Sequence, residues 1–199
     1  MNSDDPVEAA SFRTLRSRID LSSLPPLSRA VTERVIHATA DFDYVTDLVC
    51  DEAALAGGVL ALRRGVRVIA DVPAVAAGIA GHPVICKSAD SLAARLARTA
   101  NITLGAAAVR LAFSEAGPGA VWLVGSAPEA IFEIMSRETE PALVIGVPVG
   151  FVGAAEAKDA LRQSGLPCLT NASEKGGPPV AAAAFGALWK IANREESSG

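Results

Sequence analysis

A chain of 199 residues with a formal net charge of -4 carries no overall field to draw in a polyanion, and no block of Lys and Arg forms a stripe for phosphate backbones, so nucleic acid is not an expected partner. Half of the residues are hydrophobic but only 5% are aromatic, which leaves Ala, Val, Leu and Ile to fill the single core expected of a chain of this size, one domain over 1–199. No apolar run approaches the roughly 20 residues of a membrane span, and Met1, Asn2, Ser3, Asp4 and Asp5 make the start acidic where a signal peptide is basic, so a cytoplasmic protein without membrane contact is expected.

An N-terminal helical segment over 7–40 comes first. Within it, Pro25-Pro26 open a helix whose Leu27, Val31, Val35 and Ala38 recur about every four positions as an apolar stripe, with His37 just off the stripe near the helix end. An α/β core over 41–194 follows. Asp41 and Asp43 read as solvated loop carboxylates, since a metal pair needs more ligands than these. Short, apolar, β-branched runs predict strands over 66–72, 83–87, 120–125, 142–146 and 167–170, the pattern of strands buried on both faces. Helical stretches alternate with them over 91–99, 103–115, 127–138 and 154–164. A closing helix over 180–193 follows Pro178-Pro179, and 195–199 read as a frayed tail. The alternation predicts an α/β fold, a three-layer α/β/α sandwich around a mainly parallel five-stranded sheet.

Cys50, Cys86 and Cys168 are odd in number and widely spaced, and read as small buried hydrophobes rather than metal ligands or disulfide partners. No metal site is expected. His82, ahead of Pro83, reads as a turn residue. Asp71 closes a strand before Pro73, where a functional carboxylate and a helix cap are equally open readings. Glu156 and Lys158 are two apart on a helix and do not face each other, so Glu156 is read as a partner of the helix dipole.

In open α/β sheets ligands bind outside the carboxyl ends of the strands. Glycine and proline gather there, in Gly125-Ser126-Ala127-Pro128, in 146–153 and in Lys175-Gly176-Gly177-Pro178-Pro179. Such loops are expected to offer free N–H groups to anionic oxygens. Gly146, Gly150 and Gly153 after a strand raise a dinucleotide-dependent oxidoreductase as a rival. Their spacing departs from Gly-x-Gly-x-x-Gly, and no acidic residue ends the run 167–170 to hold a ribose.

The segment Pro148-Val149-Gly150-Phe151-Val152-Gly153-Ala154-Ala155-Glu156-Ala157-Lys158 is similar to the signature of the precorrin-8X methylmutases. Ser11-Phe12, Ile36-His37-Ala38, Asp71-Val72, Gly78-Ile79, Gly125 with Ala127-Pro128, Lys175-Gly176-Gly177 and Ala187-Leu188 agree in order and spacing. The resemblance implies a flavodoxin-like fold, a homodimer, no added cofactor, and a tetrapyrrole as substrate and product. The implied activity is an isomerase that moves a methyl group from C11 to C12 of a corrin precursor by a 1,5-sigmatropic shift. His37 matches the histidine assigned to proton donation. Imidazole suits that role, because its ordinary pKa of about 6.5 lets it carry a proton at neutral pH and give it up. The resemblance further implies substrate contacts at Ser11, Arg13, Asp71, Thr103, Ser126, Ala127, Pro148, Gly150, Phe151, Glu156, Lys175, Gly176 and Gly177.

The chain departs from the family pattern where ring carboxylates would be gripped. Thr103-Leu104-Gly105 stands in place of Thr-Arg-Ser, which removes a carboxylate-clamping fork. Ser126 and Glu129 replace Asn and Thr, Pro178 replaces Ser, and Gly186 replaces Asn. Lys175, the helix amino termini and Arg13 or Arg16 are then expected to supply the positive charge. A non-catalytic corrinoid-binding paralogue is the alternative these departures raise.

Overall fold

The computed structural model describes residues 6–79 and 81–194, so the tail expected over 195–199 lies outside the described residues. Helices α1 (Pro6–Arg18) and α2 (Pro26–Thr39) lead to a single turn, α3 (Tyr44–Asp47), then β1 (Leu48–Cys50) and α4 (Glu52–Arg63). There follow β2 (Val68–Ala70), α5 (Pro73–Ala77), β3 (Val84–Ile85), α6 (Ser91–Ala100) and α7 (Leu104–Ala116). The rest alternates through β4 (Val121–Val124), α8 (Pro128–Ser136), β5 (Leu143–Gly146), α9 (Ala154–Gln163), β6 (Cys168–Asn171) and α10 (Pro178–Arg194).

Among the described residues the sheet has six strands, in the order β1-β6-β5-β4-β2-β3. All neighbours are parallel except β1, which runs antiparallel to β6. Without β1, the parallel strands have the flavodoxin order 2-1-3-4-5. The sixth strand corrects the expectation of five. It is three residues long, flanked by Asp47 and Asp51, and leaves Val49 40% exposed, so it has none of the apolar continuity that marks a buried strand.

Alternation along the strands divides the core. Val68, Ala70, Val121, Leu123, Leu143 and Ile145 face the cluster made with α2, α4 and α10. Ile69, Trp122, Val124 and Val144 face the cluster made with α7, α8 and α9. Each successive residue of a strand turns to the opposite face, so both sides of the sheet bury an apolar layer. Each fully buried Leu or Ile contributes about 1.5–3 kcal/mol. The three cysteines are free and half-buried. Cys50 and Cys168 pack against the margins of the two core clusters rather than inside them, and burial pushes the Cys50 thiol up to about 12.

α2 positions the histidine. Its opening turn is held from α4, where the Glu52 carboxylate accepts from Leu27 N at 2.7 Å, Ser28 N at 2.9 Å and Ser28 Oγ at 2.6 Å. An anion at a helix amino terminus satisfies donors that the helix leaves open. Val31, Val35 and Ile36 bury the inner face against α10. The helix ends at Ala40 in the left-handed conformation, φ 55°, one turn beyond His37.

Candidate functional site

The amino ends of α5, α8, α9 and α10 follow β2, β4, β5 and β6 directly, so all lie at the carboxyl edge of the sheet. The end of α2 is brought to the same edge. Lys175 Nζ, in the loop after β6, donates to Asp41 at 2.7 Å and to Asp43 at 2.6 Å. Asp41 and Asp43 are thus ligands of an ammonium group and not merely solvated, as the sequence suggested. The pairing holds the Asp41 carboxyl below its usual range and raises the Lys175 ammonium, chiefly through these hydrogen bonds. Two carboxylates outnumber one cation here, so Lys175 does not offer the rim a free positive charge.

His37 is half-buried in the last turn of α2. Its ring stacks on Phe12 of α1, with centroids 4.3 Å apart and planes inclined by 10°. The guanidinium carbons of Arg16 and Arg34 lie 5.7 and 5.8 Å from the same Phe12 ring. Arg16 pairs with Glu33 and Arg34 with Glu8, which fastens α1 to α2 and neutralises Arg16. Ser11 and Arg13 lie on the exposed side of α1. Phe12, between them in sequence, is the α1 residue that touches the imidazole.

Below the rim is a buried polar network that sequence reasoning missed. Lys158, fully buried on α9, donates to Asn171 Oδ1 at 3.1 Å, to Lys175 O at 2.8 Å and to Ser173 O. Asp47 accepts from Asn171 Nδ2 at 2.8 Å, Ser173 N at 2.7 Å and Ser173 Oγ at 2.9 Å. Burial pulls the Lys158 ammonium down to about 8, against the opposing field of Asp47. Glu156 stays exposed in the first turn of α9, as a dipole partner would. The network fixes the chain from 171 to 175.

The loops after β5 and β6 are joined directly. Gly150 N donates to Glu174 O at 3.1 Å and Gly177 N to Val147 O at 2.8 Å. Gly176 is required at their crossing: its φ is +144°, and a Cβ there would stand 2.2 Å from Val147 O. Pro148 is buried beneath, whereas Phe151 and Val152 project at 96% and 89% exposure.

A different arrangement fills the gap between β2 and β4. Asp71 Oδ2 accepts from Gly125 N at 3.1 Å, Ser126 N at 2.7 Å and Ala127 N at 2.9 Å. Those amides, expected to be free for a ligand, are therefore taken, and Asp71 is only 7% exposed. Nor does Asp71 cap the helix that follows it, since α5 has no side-chain cap. It serves the loop ahead of α8. Thr103 likewise caps α7, accepting from Ala106 N at 3.1 Å. Glu129 leans over Gly105, where a Cβ would meet Glu129 Oε1 at 2.7 Å. Two departures from the family pattern are thus one contact, in which the room left by Gly105 holds the side chain of Glu129.

Elsewhere, His82 Nδ1 lies 2.7 Å from Pro83 O and its ring meets Trp189 edge-on at 4.5 Å. Among the described residues no cluster of three or more His, Cys, Asp or Glu side chains is placed to hold a metal ion. No described helix is long and apolar enough to cross a membrane.

A doubly wound α/β domain with glycine-rich loops at the carboxyl edge of its sheet, and the end of the histidine-bearing helix tied to that edge through Asp41 and Lys175, belongs to the class of α/β proteins that act on ligands at that edge. The family model described as precorrin-8X methylmutase matches residues 6–191. The cobalt-precorrin-8 methylmutase of Methanothermobacter thermautotrophicus is 37% identical over 181 residues, 89% of this chain and 87% of its own. That of Salmonella typhimurium is also 37% identical, over 92% of each chain. The solved precorrin-8X methylmutase of Thermus thermophilus superimposes with a TM-score of 0.85 at 32% identity, covering 94% of this chain and 95% of the other. The chain belongs to the precorrin-8X methylmutase family, isomerases of cobalamin biosynthesis.

Proposed function

We propose that this protein moves a methyl group from C11 to C12 of a corrin precursor, with His37 as the proton donor. The observation that carries the reading is the position of His37. It is half-buried, clamped by Phe12, and one helical turn from the Asp41–Lys175 contact at the carboxyl edge. In a 1,5-sigmatropic shift the C11–methyl bond breaks as the C12–methyl bond forms, and no electron is gained or lost. Substrate and product are isomers, so the proton that His37 delivers is balanced by one the macrocycle releases. General acid assistance of this kind contributes about 10²- to 10⁴-fold in rate.

The ring would lie over the joined loops after β5 and β6, with Phe151 and the 175–177 segment against it. Arg13 has no ion-pair partner among the described residues and is the cation we assign to a ring carboxylate. We further propose that the protein works in the cytoplasm as a homodimer. The exposure of the neighbouring Phe151 and Val152 supports a rim covered by a second copy. Incubation with a precorrin-8 substrate tests the activity: the absorption spectrum changes because the shift alters ring conjugation, while the mass stays the same. An unchanged spectrum from protein that binds the ring would overturn turnover and leave the second reading, a corrinoid-binding paralogue. That reading is favoured by one observation, the two carboxylates of Asp41 and Asp43 around a single ammonium at the rim of a site for a polycarboxylate.

A further inference from the structure

The topological switch point of this sheet lies between β2 and β4, the neighbours from which the chain winds outward in both directions. In such folds this is where an anion meets the open amides of the loop. Here the place is taken from inside. Three successive N–H groups, of Gly125, Ser126 and Ala127, converge on Asp71 Oδ2 at 2.7–3.1 Å.

The other oxygen points to a second feature. Asp71 Oδ1 and Trp122 Nε1 are both buried and have no partner among the described residues, and both residues line one cavity of about 10 Å³. The remaining side chains around it are Ile69, Ala108, Val109, Val124 and Ala130, with Gly105 at one end. None of these carries a side-chain donor or acceptor. A volume of that size holds about one water, and a buried water is stable where polar groups converge on it. The indole N–H can only donate and the carboxyl oxygen can accept, so a single water satisfies both at once.

We propose that Asp71 seals the switch point: Oδ2 occupies the anion place of the 125–127 loop, Oδ1 shares one internal water with the Trp122 indole, and the crevice fixes loop geometry instead of holding ligand. Asp71 is then a positioning residue. The shape it imposes on Ser126 and on the start of α8 sets the wall of the site on the histidine side. This last consequence, though not the sealing itself, rests on the methylmutase reading.

Nuclear magnetic resonance on the ¹⁵N-labelled full chain tests the sealing, with Trp189→Phe used to assign the indole signals. The Trp122 indole proton is expected to cross-relax with a long-lived water in the wild type and in Asp71→Asn. Inorganic phosphate is expected to leave the Gly125, Ser126 and Ala127 amides unmoved in the wild type and to shift them in Asp71→Ala. Should phosphate move those amides in the wild type, or the indole proton show no bound water, the proposal is overturned. Turnover gives an independent arm. Asp71→Ala is expected to lose about tenfold or more in kcat/KM, as displaced site walls do, while Asp71→Asn, which keeps an acceptor for the loop and a group for the water, regains most of it. Equal damage in both variants overturns the positioning role. A wild-type protein that shows the water and closed amides but converts no corrin precursor overturns the methylmutase reading and upholds the sealing.

Discussion

The carboxyl edge of the sheet has two halves built on opposite plans. Between β2 and β4 the donors are consumed by the protein itself, with Asp71 across the 125–127 amides and Glu129 in the room above Gly105. Between the β5 and β6 loops and the end of α2, the backbone is also tied, but the side chains left at the surface include a half-buried imidazole and the projecting Phe151 and Val152. Position in the fold alone would assign the ligand to the first half. Under the proposed function it lies over the second, because the 125–127 donors of the first are already matched within the protein and a ligand cannot profit from them.

The largest expected effect divides the halves by chemistry. His37→Ala should lower turnover of a precorrin-8 substrate by about 10²- to 10⁴-fold, the ordinary contribution of a general acid, while the affinity for the ring stays near that of the wild type. Rapid-mixing absorption spectra read the rate, and equilibrium quenching of tryptophan fluorescence reads the affinity. An equal loss of binding and rate would make His37 a packing partner of Phe12, and the two halves would then differ in shape only.

Next in size is Lys158→Met, which breaks the histidine half from below. It leaves Asn171 Oδ1, Ser173 O and Lys175 O without their donor. A buried ion-bonded group removed in this way costs on the order of 3 kcal/mol, measurable by urea unfolding. The pH dependence carries a sign of its own. The Lys158 ammonium is drawn down to about 8 in the fold, from 10.5 in the open chain. Below pH 8 both states hold the proton and the burial penalty is fully present. As pH rises from 8 to 10.5 the unfolded chain binds more protons at this group, so the penalty is relieved. The wild type should therefore gain in Tm over Lys158→Met across that window, and a narrowing gap would contradict the assignment.

Smaller still is the coupling across the closed half. Gly105→Ser alone forces the Glu129 side chain to move, since the new Cβ would lie 2.7 Å from its Oε1. Glu129→Thr alone opens a space. The double substitution removes both conflicts, and a double-mutant cycle in urea should return a coupling of about 1 kcal/mol. Strict additivity would mean that the two departures from the family pattern arose at separate places rather than as one exchange.

The sequence disclosed these halves unequally. The parallel strands were legible because strands such as β4 and β5, buried on both faces, must be short, apolar and β-branched, a pattern independent of what surrounds them. The strand β1 was not, because three residues with Val49 exposed acquire their extended form only from pairing with β6. His37 could be picked out only through the family resemblance, a half-buried imidazole at a helix end having no signature of its own. The role of Asp71 was hidden by distance, since its partners lie 54 to 56 positions away. The same is true of Lys175, whose carboxylates lie 134 and 132 positions back. A charge that local sequence shows as available can be cancelled by residues that only the fold brings near.

That cancellation yields the smallest expected effect on stability and the sharpest distinction between the halves. Lys175 and its two carboxylates lie near solvent, at 39%, 31% and 76% side-chain exposure, where ion pairs contribute little to folding. Replacing both carboxylates, Asp41→Asn with Asp43→Asn, should leave Tm almost unchanged. It should nonetheless release the ammonium to the rim, and an anionic macrocycle should bind more tightly. The gain should be greatest at low salt and fade as ionic strength shortens the reach of the charge. Isothermal titration with a corrin polycarboxylate at two salt concentrations reads it directly. The matching change in the closed half, Glu129→Gln, should give no such gain if the ring lies over the histidine side. Equal, salt-sensitive tightening by both changes would place ring carboxylates across the whole edge and erase the division drawn between its halves.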